Sequence, residues 1–161
     1  MSRGDRQLPE VGARAPEFRL PRLAGGEISL AEIAAQGPAL LAFFKISCPV
    51  CQLTFPFLER VHQAGTLPVY GISQNDAKDT RAFAARYRTT LPMLLDSEES
   101  GFPVSNAYGI SSVPTMFLIE RDGSIGQSII GWRKREIAAL GPTAGAGVIR
   151  PGDNVPEWKA G

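Results

Sequence analysis

The feature that most constrains this chain is the tetrapeptide Cys48-Pro49-Val50-Cys51, which contains the only two cysteines among its 161 residues. The run before it, 39–44, is continuously apolar and predicts a buried strand, and residues 52–62 carry apolar side chains at helical spacing. The pair is therefore expected where a strand leads into a helix. The N–H groups and partial positive charge of a helix start favour the thiolate of the first cysteine. The second lies about one turn further on, where it could attack a mixed disulfide formed on the first.

Other roles for this cysteine pair are weaker but stay open. A closed zinc site usually needs four Cys or His ligands, and the chain adds only His62, which fits an ordinary helix residue. Covalent haem attachment requires His directly after the second cysteine, where this chain has Gln52. A structural disulfide that closes so short a loop would constrain the unfolded chain little. We therefore expect no metal, and no cofactor besides a redox-active disulfide within the chain.

Length and charge limit the classes of function. A chain of 161 residues is expected to form one domain with a sizeable core. Its net charge is +1, from 17 basic and 16 acidic residues without a basic tract, so no nucleic-acid partner is expected. The apolar runs are far shorter than the ~20 residues that cross a membrane. Residues 1–7 are polar and lack the apolar core of a signal peptide. These features predict a cytoplasmic protein, in which a disulfide is more often catalytic than structural.

Predicted strands and helices alternate along the chain. Strands are predicted at 39–44, 67–72, 92–95, 115–119 and 124–130, and helices at 30–35, 52–62, 79–87, 100–108 (a short helix or a loop) and 133–140. Residues 18–20 and 27–30 flank Ala24-Gly25-Gly26 and predict a hairpin near the N-terminus. Asp122-Gly123 predicts a second hairpin turn. This order indicates an α/β sandwich with a mixed sheet.

The segment 141–161 differs in composition from the rest of the chain. It contains five Gly and three Pro, which predicts an extended arm that packs late or stays mobile. Trp158 is unusual in such a segment, so it is expected to anchor the arm against the body of the protein.

From about Ala15 to Leu140 the chain resembles the thioredoxin superfamily. The segment 43–51 is similar to the family's strand, active-site loop and CxxC motif, and 108–115 to the stretch that carries its cis-proline. Residues 14–20 match a lead-in, and 72–108 match a long middle stretch. Pro56 matches the helix-kinking proline, 122–123 the hairpin turn, and Gly131 a later glycine. The lead-in and the long stretch are similar to the redoxin branch, which includes alkyl hydroperoxide reductase/thiol-specific antioxidant proteins and thiol–disulfide reductases.

The resemblance implies a fold and a division of the chain. The fold is a thioredoxin-like three-layer α/β/α sandwich with a mixed central sheet, an N-terminal hairpin and an inserted strand–helix unit. The implied division is a lead-in at 1–14, a redox domain at 15–140 and an extended C-terminal arm at 141–161.

The resemblance also implies an activity, thiol–disulfide oxidoreduction on protein or small-molecule disulfides. Cys48 would be the nucleophile and Cys51 the resolving thiol. The expected substrate-binding residues are Val113, Pro114, Pro49 and Val50, with a cis bond between the first two. The implied partners are disulfide-containing client proteins and an electron-donating thiol or reductase system. The short apolar runs predict no membrane partner.

Three departures from the thioredoxin pattern are visible near the cysteines. Ser47 replaces the usual Trp, and Ala42 aligns with the buried Asp that accepts the proton of the second cysteine. Another group or water would then accept that proton, and Lys45 is either a modulator of the thiols or a solvated surface lysine. The dipeptide between the cysteines is Pro-Val rather than Gly-Pro, so the direction of electron flow is not assigned.

Two alternative functions share this fold. The first is a peroxiredoxin-like peroxidase, with antioxidant activity. Peroxiredoxins resemble one another in a Pro seven residues before the reactive cysteine and a Thr or Ser three residues before it. Those positions are Leu41 and Lys45 for the first cysteine, and Phe44 and Cys48 for the second, so neither fits. The other alternative is a non-enzymatic binding module, against which the intact CxxC motif argues.

Overall fold

A mixed β-sheet forms the centre of the computed structural model, which describes residues 7–142 and 147–161. Residues 1–6 of the predicted lead-in and residues 143–146 of the predicted arm lie outside the described residues. The five strands of this sheet, in spatial order, are β5 (Met93–Leu95), β4 (Val69–Ser73), β3 (Ala39–Phe44), β6 (Thr115–Ile119) and β7 (Ile125–Ile130). The first three run parallel, and β6 and β7 join them in antiparallel pairs. This arrangement confirms the predicted mixed sheet.

Strand β3 is the core of the fold because its apolar run is buried along its whole length. A strand buried on both faces requires cover on both sides of the sheet, and the helices provide it. The ring centroids of Phe43 and Tyr108 are 5.2 Å apart, and those of Phe44 and Phe55 are 4.3 Å apart. The strand therefore ends at a fixed position, directly before the cysteine segment.

Five α-helices flank or follow the strands in the described residues. They are α1 (Leu30–Ala35), α2 (Pro49–Gln63), α3 (Ala77–Arg86), α4 (Pro103–Ala107) and α5 (Lys134–Ala138). Ser29 caps the first helix, since its hydroxyl accepts a hydrogen bond from the Glu32 backbone N–H at 3.1 Å. None of the described helices combines the length and the apolar character needed to cross a membrane.

Some boundaries differ from the prediction for identifiable reasons. The second predicted strand begins at Val69 rather than residue 67, since Pro68 has no N–H and gives the sheet only its carbonyl, which accepts from Leu40. The cysteine helix begins at Pro49, a residue whose fixed φ suits the first helical position. The element predicted at 100–108 is shorter, helix α4, because a 3₁₀ turn at Glu98–Ser100 ends at Gly101, whose φ is +82°.

The N-terminal hairpin is confirmed. Strands β1 (Arg19–Pro21) and β2 (Glu27–Ser29) pair antiparallel, with Leu20 opposite Ile28. A single bridge between Arg22 and Leu94 joins the hairpin to the edge of the central sheet at β5.

Residues 147–161 of the C-terminal segment, called the arm below, are packed against the body. Its strand β9 (Trp158–Lys159) pairs antiparallel with β8 (Trp132–Arg133), a pairing that the sequence did not predict. The expectation that the Trp158 side chain anchors the arm is wrong, because that side chain is 57% exposed. Backbone pairing and the buried Val148 hold the arm instead.

Candidate active site

Cys48 caps the N-terminus of α2 with its own side chain. Its backbone is extended, at φ −81° and ψ 115°, and its Sγ accepts a hydrogen bond from the Cys51 backbone N–H at 3.1 Å. Pro49 occupies the first helical position, where a backbone N–H would have no partner within the helix, so nothing is lost by its absence in proline. The sulfur thus takes the place of the oxygen of an ordinary capping side chain.

This position makes Cys48 acidic. Hydrogen bonding to the Cys51 side chain is the largest influence, and together with the backbone N–H groups of Cys51 and Val50 and the charge of Lys45 it outweighs partial burial. The pKa of the Cys48 thiol is lowered to about 6. The side chain is also partly exposed, so a thiolate at neutral pH can meet a substrate.

Cys51 lies one helical turn deeper in a contrasting environment. Its side chain is fully buried, and burial is the main reason that its pKa is raised well above the ordinary range. The hydrogen bond to Cys48 raises that pKa further, while the backbone and the charge of Lys45 oppose the shift only in part. Cys51 is therefore a protonated thiol at neutral pH, held next to the sulfur of Cys48.

The loop before β6 closes the other side of the thiol. The Val113–Pro114 peptide bond is cis, as expected. In its protonated form the Cys48 thiol donates a hydrogen bond to the Val113 carbonyl oxygen, with 3.4 Å between sulfur and oxygen. The Thr115 hydroxyl donates to the Ser112 carbonyl at 2.8 Å and fixes the loop across its turn. Both residues of the cis peptide are buried, so the loop presents mainly its backbone to the thiol.

The other predicted site residues occupy different positions around the cysteines. Pro49 is exposed beside Cys48, whereas the Val50 side chain is buried and the residue influences the thiol through its backbone N–H. Lys45 is exposed, and it lines a polar cavity of about 280 Å³ together with Gln74 and Ser111.

The structure bears on the fate of the Cys51 proton. Ala42, which replaces the buried Asp of thioredoxins, is fully buried in the middle of β3. The two buried carboxylates of the described residues serve other segments: Glu59 accepts from Thr90 and Leu91, and Asp96 caps α4.

No cluster of three metal-binding side chains occurs within the described ranges.

Sequence reasoning missed one participant at this site. Gly161 lies so close to the Val113 carbonyl that a Cβ added to it would overlap that group. A glycine in a Gly-rich tail gives no periodic or motif signal, so only the three-dimensional structure reveals the contact.

Comparison with known proteins matches the chain to a protein family and to named relatives. The AhpC/TSA family model matches residues 11–128. The thiol–disulfide oxidoreductase ResA of Geobacillus thermodenitrificans is 29% identical over 130 residues, which cover 78% of this chain and 72% of that protein. The ResA of Halalkalibacterium halodurans is 31% identical over 125 residues, which cover 75% and 69%.

The fold comparison agrees with this match. The solution structure of a candidate protein disulfide isomerase from Bacteroides thetaiotaomicron superposes with a TM-score of 0.73 at 24% identity, over 82% of this chain and 86% of that one. This likeness confirms the thioredoxin-like fold. The family match spans the hairpin, the cysteine segment and the cis-proline loop, so the chain belongs to the AhpC/TSA family.

Proposed function

We propose that this protein is a thiol–disulfide oxidoreductase in which Cys48 attacks and Cys51 resolves. The observation that carries the proposal is the contrast between the two thiols. Cys48 caps a helix with a pKa of about 6, while the adjacent Cys51 is buried with its pKa raised. The relatives named thiol–disulfide oxidoreductase ResA support the same activity.

The exchange consists of two displacement steps. The Cys48 thiolate attacks one sulfur of a client disulfide, forms a mixed disulfide, and releases the first client sulfur as a thiolate that takes a proton from water. Cys51 then attacks the sulfur of Cys48, and the second client sulfur leaves. The proton of the Cys51 thiol goes to that departing sulfur or to water, since Ala42 offers no carboxylate. The client gains two electrons and two protons, and the cysteine pair becomes a disulfide.

The surface around Cys48 supports binding of a client backbone. The Val113 carbonyl lies against the sulfur, and an extended chain could pair with this loop as an added strand. Exposed Pro49 borders the same sulfur. The charge of Lys45 favours the thiolate form of Cys48, which supports the role of a modulator.

Turnover needs a second redox partner. An electron-donating thiol or reductase system would return the cysteine pair from the disulfide to the dithiol. The same two displacement steps in reverse would oxidise a client. In this proposal the disulfide within the chain is the redox group, with no added cofactor, and the protein works in the cytoplasm.

A thiol peroxidase is the second candidate because the family also contains alkyl hydroperoxide reductases. The residues at this site favour disulfide exchange. Leu41, where a peroxidatic Pro would stand, is buried in β3, and Lys45 has no hydroxyl to place against a peroxide. The binding-module alternative would leave the acidic Cys48 thiol without a role.

Two assays run in parallel separate these candidates. Reduction of insulin with dithiothreitol as electron donor is expected for the wild type and lost in Cys48→Ser and Cys51→Ser. Consumption of hydrogen peroxide with the same donor is expected to stay near the rate of the donor alone. Fast peroxide consumption that depends on Cys48 would favour the peroxidase, and inactivity in both assays would favour a binding module.

A further inference from the structure

The arm reaches the cis-proline loop at Val113, where a client chain is proposed to bind. Between β7 and β8 the chain turns at Gly131, whose N–H donates to the Pro114 carbonyl at 2.8 Å. A Cβ added at Gly131 would lie 2.6 Å from the Lys159 carbonyl oxygen, so the arm runs directly over this turn. The pairing of β8 with β9 therefore carries the arm toward the cis-proline loop.

Gly161 lies on the backbone of that loop. A Cβ added to it would be 2.7 Å from the Val113 carbonyl carbon and 3.2 Å from the Pro114 nitrogen. The oxygen of the same Val113 carbonyl lies 3.4 Å from the Cys48 sulfur. One peptide group thus separates the arm from the attacking thiol.

Several contacts hold the arm in this position. The Arg60 guanidinium of α2 forms an ion pair with Asp153 at 2.6 Å and donates to the Val148 carbonyl at 2.9 Å. The Trp132 indole N–H donates to the Pro156 carbonyl at 2.6 Å. Charge-assisted and partly buried contacts of this kind are stronger than ordinary surface contacts. The arm therefore has a defined path from α2 to the active-site loop.

From these contacts we infer that the segment Trp158–Gly161 selects the substrate by its size. It occupies the backbone edge at Val113 that an extended polypeptide would use to pair beside Cys48. A small disulfide needs only the partly exposed sulfur, so it reaches Cys48 past the arm. A polypeptide disulfide must first displace the segment. This inference rests on the proposed disulfide exchange, whose chemical steps it leaves unchanged.

The structure supplies a single substitution that displaces the segment. In Gly161→Val the new side chain cannot coexist with the Val113 carbonyl, so residue 161 must move away from the loop. Gly147→Val is the matched control, because a Cβ there meets nothing nearer than the Ile149 carbonyl oxygen at 3.5 Å. Asp153→Ala is a second test that leaves the loop sequence intact and removes the ion pair to Arg60.

The readout compares kcat/KM for insulin with kcat/KM for dithiobis-nitrobenzoate, a small disulfide. Gly161→Val and Asp153→Ala should raise the insulin value about threefold or more, and the small-disulfide value should stay within about twofold of wild type. Gly147→Val should match wild type for both substrates. Equal changes for the two substrates, or unchanged values in both test variants, would overturn the inference. A fall in insulin reduction alone would overturn it too, because the segment would then assist the client.

Alkylation of Cys48 tests access to the thiol without assuming an oxidoreductase. The rate with a polyethylene-glycol maleimide, divided by the rate with iodoacetamide, should increase about threefold or more in Gly161→Val. A wild type that reduces neither disulfide would refute the proposed function, while an increased ratio would still support the size barrier. An unchanged ratio in both Gly161→Val and Asp153→Ala would refute the barrier itself.

Discussion

The Cys48 sulfur and the Val113 carbonyl oxygen lie 3.4 Å apart, although 65 residues separate them in the sequence. Strand β3 and strand β6 are neighbours in the sheet, so the loop after one and the loop before the other meet at the same edge. The sheet thereby places a backbone carbonyl, which accepts hydrogen bonds, directly beside the attacking thiol. Client recognition and bond exchange can therefore occur at one point of the surface.

Alkylation at varied pH tests the assignment of the nucleophile. Iodoacetamide should modify Cys48 alone in the folded protein, because Cys51 is buried and protonated. The reactive form is the thiolate, so the rate should rise with pH through a midpoint near 6 and then level off. At pH 5 it should be about one tenth of the plateau. Peptide mass spectrometry gives the site and the rate; labelling of Cys51, or a midpoint above 8, would contradict the assignment.

Mixed-disulfide trapping tests the division of roles. Cys51→Ser should accumulate covalent complexes between Cys48 and client proteins, because the second displacement cannot occur. Serine can also donate a hydrogen bond to the Cys48 sulfur, so much of the lowered pKa should persist. Cys48→Ser should trap nothing on a non-reducing gel. Trapping through Cys51 in that variant would reverse the roles.

Cys51→Ala separates the hydrogen bond from the resolving chemistry. The side chain of Cys51 makes the largest contribution to lowering the pKa of Cys48, and alanine removes that donor. The alkylation midpoint of Cys48 should therefore move to higher pH in Cys51→Ala than in Cys51→Ser. Identical midpoints in the two variants would assign the low pKa to the backbone N–H groups instead.

The charge of Lys45 should have a smaller effect. It is the weakest of the influences that lower the pKa of Cys48, and the side chain is exposed to screening solvent. Lys45→Gln should raise the midpoint by less than about one pH unit, which corresponds to about 1.4 kcal/mol. Lys45→Arg, and Lys78→Gln on α3 as a control, should leave it unchanged. A Lys45→Gln midpoint equal to that of wild type would make Lys45 an ordinary surface lysine.

The sequence predicted the elements whose signals are local. The apolar run of β3 and the thiols at the start of α2 follow from residue type and spacing. The approach of Val113 to Cys48 came from family resemblance, since the contact spans 65 residues and leaves no periodic pattern. The β8–β9 pairing joins two-residue strands, which are too short for alternation to show. The position of Gly161 depends on the whole path of the arm, so composition alone suggested only an extended arm that packs late or stays mobile.

Glu59 links the cysteine helix to the segment before β5 and should matter for stability. Its carboxylate accepts hydrogen bonds from the Thr90 and Leu91 backbone N–H groups at 2.7 and 2.8 Å, and from the Thr90 hydroxyl and the Gln63 amide. Glu59→Gln replaces one acceptor oxygen by an N–H₂ donor, which faces donors that it cannot bind. We expect a loss of about 1–3 kcal/mol in the free energy of unfolding.

Urea unfolding of the reduced protein measures this loss, with Glu99→Gln as the control. Glu99 is exposed, so its change should stay within about 0.5 kcal/mol of wild type. The alkylation midpoint of Cys48 should not move in Glu59→Gln, because Glu59 lies about three helical turns beyond the N-terminal cap. A destabilised protein with a normal Cys48 midpoint would assign Glu59 to holding the helix in place. Equal unfolding free energies for Glu59→Gln and wild type would show that the buried carboxylate contributes no more than its neutral amide.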